Sequence, residues 1–424
     1  MVIGIRAASA FLAGLLASAA SLAQPQPLRI EDRYAWFLPP ASNAQQQGFV
    51  RLVNQGPKTA TITVTGLDAA GQRSPGQVQL QLARGQSRQL NSQDLEGGNP
   101  GKGLSGALGD GDGDWSLLVA ADQPIEALAY IRTPDGFLTA MHDRVRGDGQ
   151  RWPVPFFNPA ENINQVSRLR VVNTETRAVS VLVTGTDDAG QGGATRLAFS
   201  LPALASVEWT SSELEQGSPA RGLQGALGDG SGKWRLMLEA DGRVSVQSLL
   251  YDPEGNLTNL STLAPGPVGP GRRTLWFFPH ADNVEQQGFI RIINRGPVAG
   301  LVEVRGVDDT GQASPGVASF SLGPGQSRQF NAQDLEFGNV AKGLTGSLGD
   351  GQGDWRLLVD SPVAIEAMAL VRTVDGFLTS VHDVVAGEAI RREVPVFNPA
   401  QNANQVSVLR LVNPTGAPVP VQIA

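Results

Sequence analysis

The sequence predicts an all-β protein built from tandem antiparallel β-sandwich modules of about 120 residues each. Three observations carry that reading. First, Leu108-Gly109-Asp110-Gly111-Asp112-Gly113-Asp114-Trp115 returns as Leu227 to Trp234 and as Leu348 to Trp355, so the chain is a repeat. Second, Asn54, Asn173, Asn294 and Asn413 close the matching segments GFVRLVN, SRLRVVN, GFIRIIN and SVLRLVN, at steps of 119, 121 and 119 residues. Third, each unit alternates polar and apolar residues, with turn signals every eight to twelve residues or so. The 51 glycines and 28 prolines among 424 residues fit short strands and tight turns. A propeller would repeat at roughly 40–50 residues, and no such sub-period is present.

Taken in order, residues 1–23 read as a signal peptide. Arg6 supplies the positive start, Ala10 to Leu22 the apolar stretch and Ser21-Leu22-Ala23 the small-x-small site, with cleavage expected after Ala23. No later stretch is apolar and long enough to span a bilayer, so no membrane span is expected after cleavage. Residues 24–35 are a linker, and module 1 covers 36–154. Within it, strands are expected at Phe49–Val53, Thr61–Thr65, Val78–Leu82, Ser87–Leu90, Ser116–Val119, Ile125–Ile131 and Phe137–Met141. Gly66-x-Asp68-x-x-Gly71 recurs at Gly185 and Gly306 as a turn that its Asp caps and its Gly bends. Asn91-x-x-Asp94, Thr210-x-x-Glu213 and Asn331-x-x-Asp334 have the spacing of a capping box on a short helical turn.

Module 2 covers 155–274, including the Pro/Gly linker Ala264–Gly271, and module 3 covers 275–394. Stiff x-Pro segments at Val154 and Val394 lead into the following units, and the modules are expected as extended beads on a string. Units one and three form one closer pair, and two and four another, as after duplication of a double unit. Residues 395–424 are a partial module 4. Either the chain is a fragment of a longer protein, or these residues complete module 3. The second reading would leave Trp36–Asn54 unpartnered, so the first is preferred.

The net charge of −7, with Lys and Arg scattered singly, argues against a nucleic-acid partner. Having no Cys, the chain has no disulfide, thiolate metal site or Cys nucleophile. Asp110, Asp112 and Asp114 open like a calcium loop, but Asp112 becomes Ser231 and Gln352, Asp114 becomes Lys233, and no acid stands at the twelfth position. The stretch reads better as a glycine-rich corner that feeds Trp115, Trp234 and Trp355 into the core. An exposed Trp would instead offer its face to a sugar.

His142-Asp143 and His382-Asp383 resemble the base and orienter of a triad. Unit two has Ser261-Thr262 there and no nucleophile elbow accompanies them, so no catalytic residue and no cofactor are expected. Arg146-Gly147-Asp148 is a short-motif match without context. The remaining candidate is a binding face made of Asn43, Gln46 and Arg51, repeated as Asn162, Gln165 and Arg170, and as Asn283, Gln286 and Arg291. The plainer alternative is an Asn-based turn, with an Arg whose stem packs on a strand and whose head meets a carboxylate.

The combination NPAxNxNQxSxLRxVN (Asn158 to Asn173, Asn398 to Asn413), GxDxxG and LGDGxGxW resembles repeats of uncharacterised secreted proteins of Gram-negative bacteria. That resemblance implies an Ig-like module and an extracytoplasmic setting, and brings no activity with it. The expected function is a non-enzymatic stalk, scaffold or adhesion protein, secreted, periplasmic or on the cell surface, with a protein or glycan partner. The alternatives are accessory modules of a larger secreted enzyme, or a calcium- or carbohydrate-binding array.

Overall fold

In module 1 of the computed structural model, the alternating stretches become β1 (Arg33–Leu38), β2 (Gln47–Asn54), β3 (Ala60–Leu67), β4 (Val78–Leu82), β5 (Ser87–Asn91), β6 (Trp115–Ala121), β7 (Ile125–Arg132) and β8 (Leu138–Ala140). They pair antiparallel into two four-stranded sheets, β1-β6-β3-β4 and β5-β2-β7-β8. Residues 33–133, 135–261, 269–381, 387–388, 391–392, 394, 396–402 and 406–423 are described by the structure. The expected signal peptide at 1–23, His382-Asp383 and residues 264–268 of the Pro/Gly linker lie outside the described residues. Among the described residues no helix is long and apolar enough to cross a membrane.

Module 2 repeats the plan with β9 (Arg151–Phe157), β10 (Val166–Asn173), β11 (Val179–Thr186), β12 (Leu197–Leu201), β13 (Ser206–Thr210), β14 (Trp234–Ala240), β15 (Val244–Tyr251) and β16 (Leu257–Asn259), in sheets β12-β11-β14-β9 and β13-β10-β15-β16. Module 3 has β17 (Gly269–Phe278), β18 (Gln286–Asn294), β19 (Gly300–Val307), β20 (Ala318–Leu322), β21 (Ser327–Asn331), β22 (Trp355–Thr373) and β23 (Leu378–Ser380). Here one 19-residue strand, β22, runs through both sheets. Pairing moves the module edges: β9 and β17 begin at Arg151 and Gly269 but belong to the sheets of the modules that follow them. Module 3 is a full sandwich without residues 396–423, in which no strand is assigned among the described residues.

The core follows the period-two pattern. Val78, Leu80 and Leu82 of β4 point inward while Gln79 and Gln81 face solvent. All three capping boxes form, on α1 (Ser92–Gly97), α2 (Ser211–Gln216) and α3 (Ala332–Phe337). The landmark asparagines are buried ties between the sheets. Asn54 Nδ2, at the end of β2, donates to Lys58 O (2.7 Å) and Leu82 O (2.9 Å), the latter at the end of β4 in the other sheet. Asn173 and Asn294 do the same.

Trp115, Trp234 and Trp355 are at most 1% exposed. Each indole lies between two glycines: a Cβ at Gly66 would come within 2.6 Å of the Trp115 ring and one at Gly111 within 2.3 Å, and the pairs Gly185/Gly230 and Gly306/Gly351 flank the other two. The Nε1–H donates to Glu96, Glu215 or Glu336 at 2.8 Å in every module. The same glutamates accept from Ala41 N, Ala160 N and Ala281 N, so one carboxylate joins helix, indole and entering chain.

The modules are not beads on a string. They pack around a hub in which Phe137 of module 1 meets Phe377 of module 3 with ring centroids 4.0 Å apart. Trp36 and Leu67 of module 1 cluster with Val172 and Leu204 of module 2. Phe156, Leu250 and Leu260 of module 2 cluster with Ile293, Met368 and Leu370 of module 3. Asn402 lines a cleft with Thr133, Asp135 and Gly136, which brings the fourth unit back against the first. The modules are therefore gathered around one hub and not strung out in a line.

Removing the carboxylate in Glu215→Ala leaves the buried Trp234 N–H without its acceptor and is expected to cost about 1–3 kcal/mol in urea denaturation. Glu215→Gln, which keeps an acceptor oxygen, is expected to cost less. Equal losses would mean that the Trp234 bond contributes nothing.

Candidate functional site: the joints between modules

Two of the three arginines singled out from sequence, Arg170 and Arg291, sit where one module meets the module before it. Arg170, in the middle of β10, is 2% exposed; its Nε donates to Trp36 O (3.3 Å), its Nη1 lies 3.7 Å from the Asp114 carboxylate, and its guanidinium covers the Phe37 ring. Arg291, in β18, is fully buried and its Nη2 donates to Asp188 Oδ1 of module 2 (2.6 Å) and to Ser327 Oγ (3.0 Å). Arg410 of the fourth unit reaches Asp309 (2.5 Å) and Asp354 (3.1 Å) of module 3. These are joints of one design.

Backbone contacts complete each joint. Ser206 N donates to Ala69 O, and Ser327 N to Asp188 O. The glycine-bent turn of one module presses on the β-turn of the next: a Cβ at Gly71 (φ +82°) would lie 2.4 Å from Ala203 O, and one at Gly190 2.9 Å from Pro324 O. Leu204 is the only non-glycine residue with positive φ (61°) among the described residues, in a turn where modules 1 and 3 have Gly85 and Gly325. A left-handed leucine costs about 1–2 kcal/mol, and its burial at the joint, to 6% exposure, offsets that strain.

The acid at the joint changes place. Joint 1–2 uses Asp114 of the glycine-tryptophan stretch and has Ala69 in the turn; joint 2–3 uses Asp188 of the turn and has Lys233 in the stretch. Their titration differs accordingly. Burial raises the Asp114 carboxyl above the usual carboxylate range, and the Arg170 charge only partly offsets this. Burial also acts on Asp188, but the Arg291 charge and hydrogen bond, the Ser327 hydroxyl and the Lys233 N–H outweigh it and hold its pKa below the usual range.

The proposed calcium ligands do not converge. Asp110 and Asp112 are exposed, the Asp112 amide donates to Asp68, and Asp114 turns to Arg170. Among the described residues no cluster of three or more His, Asp or Glu side chains is placed to hold a metal. His142 Nδ1 lies 3.3 Å from Ala129 O and its Nε2 4.0 Å from Asp143, a local arrangement at a strand end. Asp148 of the Arg-Gly-Asp tripeptide accepts from Gln150 N and Arg151 N and so caps the turn before β9.

Asn43, Asn162 and Asn283 each cap their own turn, accepting from the amides of Gln46, Gln165 and Gln286 at 2.9–3.1 Å. Gln165 Nε2 donates to Gly376 O of the following module, whereas Arg170 of the same module bonds the module before. At the hub the amide segments line two matching polar clefts, of about 470 Å³ beside Asn283 and Asp375 and about 900 Å³ beside Asn43 and Asp135.

Sequence reasoning missed Asp188, Ser206, Ser327 and Leu204. The Asp-Asp doublet at 187–188 and 308–309, absent from unit one, was the available signal. No family model matches this chain, and no curated protein or solved structure matches it significantly.

Gly71→Ala is expected to destabilise the protein well beyond Gly311→Ala. The latter, at φ +84° with nothing within 4 Å, bears only the left-handed penalty of about 1–2 kcal/mol. Equal losses would show that the turn contact carries no energy.

Acid is expected to act oppositely on the two joints. Asp188 binds fewer protons folded than unfolded, so its contribution, present above the usual pKa of about 4, is lost as pH falls through its depressed value. Asp114 binds more protons folded than unfolded, so its ionisation penalty disappears as pH falls through its raised value. Melting curves between about pH 6 and 3 check this: Asp188→Asn should flatten the acid loss and Asp114→Asn should steepen it.

Proposed function

We propose that this chain is a non-enzymatic, extracytoplasmic scaffold or adhesion protein, whose sandwiches are locked in one arrangement and present the clefts at their junctions to a protein or glycan partner. The observation that carries this reading is the repeated joint. A buried arginine, a carboxylate from the neighbouring module and a backbone bond recur at 170 and 291. A flexible stalk needs none of these, since linkers alone space its modules.

The polar clefts favour a carbohydrate over an apolar ligand. Asn43, Gln45, Gln47, Arg132 and Asp135 line the larger one and offer donors and acceptors but little apolar surface. The same modules would serve as accessories of a secreted enzyme, in which case the clefts would hold its polymeric substrate. The extracytoplasmic setting rests on the Arg6 to Ala23 pattern.

Two measurements test the reading. Expressed in a Gram-negative host, the mature protein is expected outside the cytoplasm with Gln24 as its first residue by mass spectrometry. Its radius of gyration in solution is expected near roughly 20–25 Å, the range of a compact chain of this length. A cytoplasmic, uncleaved product would overturn the setting, and a much larger radius would overturn the locked arrangement.

A further inference from the structure

We infer that the Arg51 face of module 1 docks the acidic turn of a fourth sandwich of this same repeat, which closes a ring. Arg51 stands in β2 where Arg170 and Arg291 stand in β10 and β18. Its Nη2 donates to Ser87 Oγ at 2.8 Å, as Arg291 Nη2 does to Ser327 at 3.0 Å. In module 3, Asp188 of the preceding module then accepts from both the arginine and the serine, at 2.6 and 2.5 Å. Among the described residues Arg51 forms no ion pair with a carboxylate, whereas Arg170, Arg291 and Arg410 each do. Among those residues the arginine–serine pair of module 1 is thus not met by an acid.

The neighbouring turn gives the same result. Gly85 has φ +70°, and a Cβ added there would meet nothing within 4 Å, whereas one at its counterpart Gly325 would lie 3.6 Å from Gly190 of the module before. The polar and the steric halves of the joint are thus both open on module 1.

The fourth unit touches both module 3 and module 1. Arg410 holds it to module 3 by Asp309 and Asp354, while Asn402 lines the cleft of module 1. Leu409 and Leu411 are 38% and 57% exposed, where their counterparts Leu169 and Val171 are fully buried. A second whole copy of the chain does not offer the right turn, because Asp188 and Asp309 are already held by Arg291 and Arg410. The occupant that fits is a single sandwich of the unit-two kind, built on the segment around Arg410 and carrying a Gly-x-Asp-Asp-x-Gly turn to Arg51. This inference stands on joint geometry and does not depend on the proposed function.

The test extends the full chain. Ala424 corresponds to Thr184, so residues 185–261 of module 2 are appended directly after it. Because the native sequence has no cysteine, Arg51→Cys and a cysteine at the appended copy of Asp188 form a clean cross-linking pair. The expected result is an intramolecular disulfide under mild oxidation, together with slowed hydrogen exchange at residues 406–413. Slowed exchange without the disulfide would overturn the inference, and so would a disulfide formed only between molecules.

Should the extension fail to fold, the 424-residue chain is titrated with a cyclic peptide copying Gly185–Gly192. A saturable shift of the Arg51 Nε resonance, lost when Asp188→Asn is made in the peptide, supports the inference. No shift at millimolar peptide overturns it. Neither result bears on the solution radius or the cellular location, so failure here is distinguishable from failure of the scaffold reading.

Discussion

Each module depends on an indole laid flat between two glycines. Gly66 and Gly111 leave no room for a Cβ over Trp115, and the Glu96 carboxylate fixes the remaining polar edge of the ring. Two consequences follow from that seat. The stretch Leu108 to Trp115 must fold over the end of the sandwich, and the turn after Gly66 must lie beside it, where the Asp68 carboxylate bonds the Asp112 amide. Those two loops together form the surface that the next module grips. Core packing within a module and contact between modules are therefore one construction.

The joints show how a buried charge is retained in a small interface. Arg291 is removed from water completely, which is tolerable only because Asp188 and Ser327 meet it. Its stem and the surrounding apolar cluster exclude solvent, so the pair is not the weakly contributing ion pair of an open surface. Arg170 reaches the same end with a longer ion pair, a backbone carbonyl and the face of Phe37. The geometry is kept while the chemistry varies.

Much of this architecture was legible in the sequence. Strands β2 to β8, the three capping boxes and the burial of Trp115, Trp234 and Trp355 follow from local periodicity and turn chemistry, which act over a few residues, whereas β1, β9 and β17 begin in stretches that read as linkers. What was not legible is what lies between modules. Arg170 and Asp114 are 56 positions apart and Arg291 and Asp188 are 103 apart, and the acid moves from one loop to another between joints. No single column therefore carries the acid at all three joints: Asp188 and Asp309 share one, Asp114 and Asp354 the other. The role of Gly66 was hidden for a related reason: it reads as a turn glycine, yet its function is close approach to an indole from a distant loop. The Asn and Gln of the expected binding face do form a recurring segment, but sequence spacing alone did not reveal that Gln165 meets the following module and Arg170 the preceding one.

The contact between Phe137 and Phe377 has a mechanical meaning. In a linear array, tension passes through every linker in series, and modules yield one after another at the weakest. Here modules 1 and 3 are also bridged directly across the hub, so load is shared between that bridge and the two joints along the chain. For a pull applied between modules 1 and 3, the hub contact and the path through the two joints act in parallel, so parting those modules requires the hub and at least one joint to open.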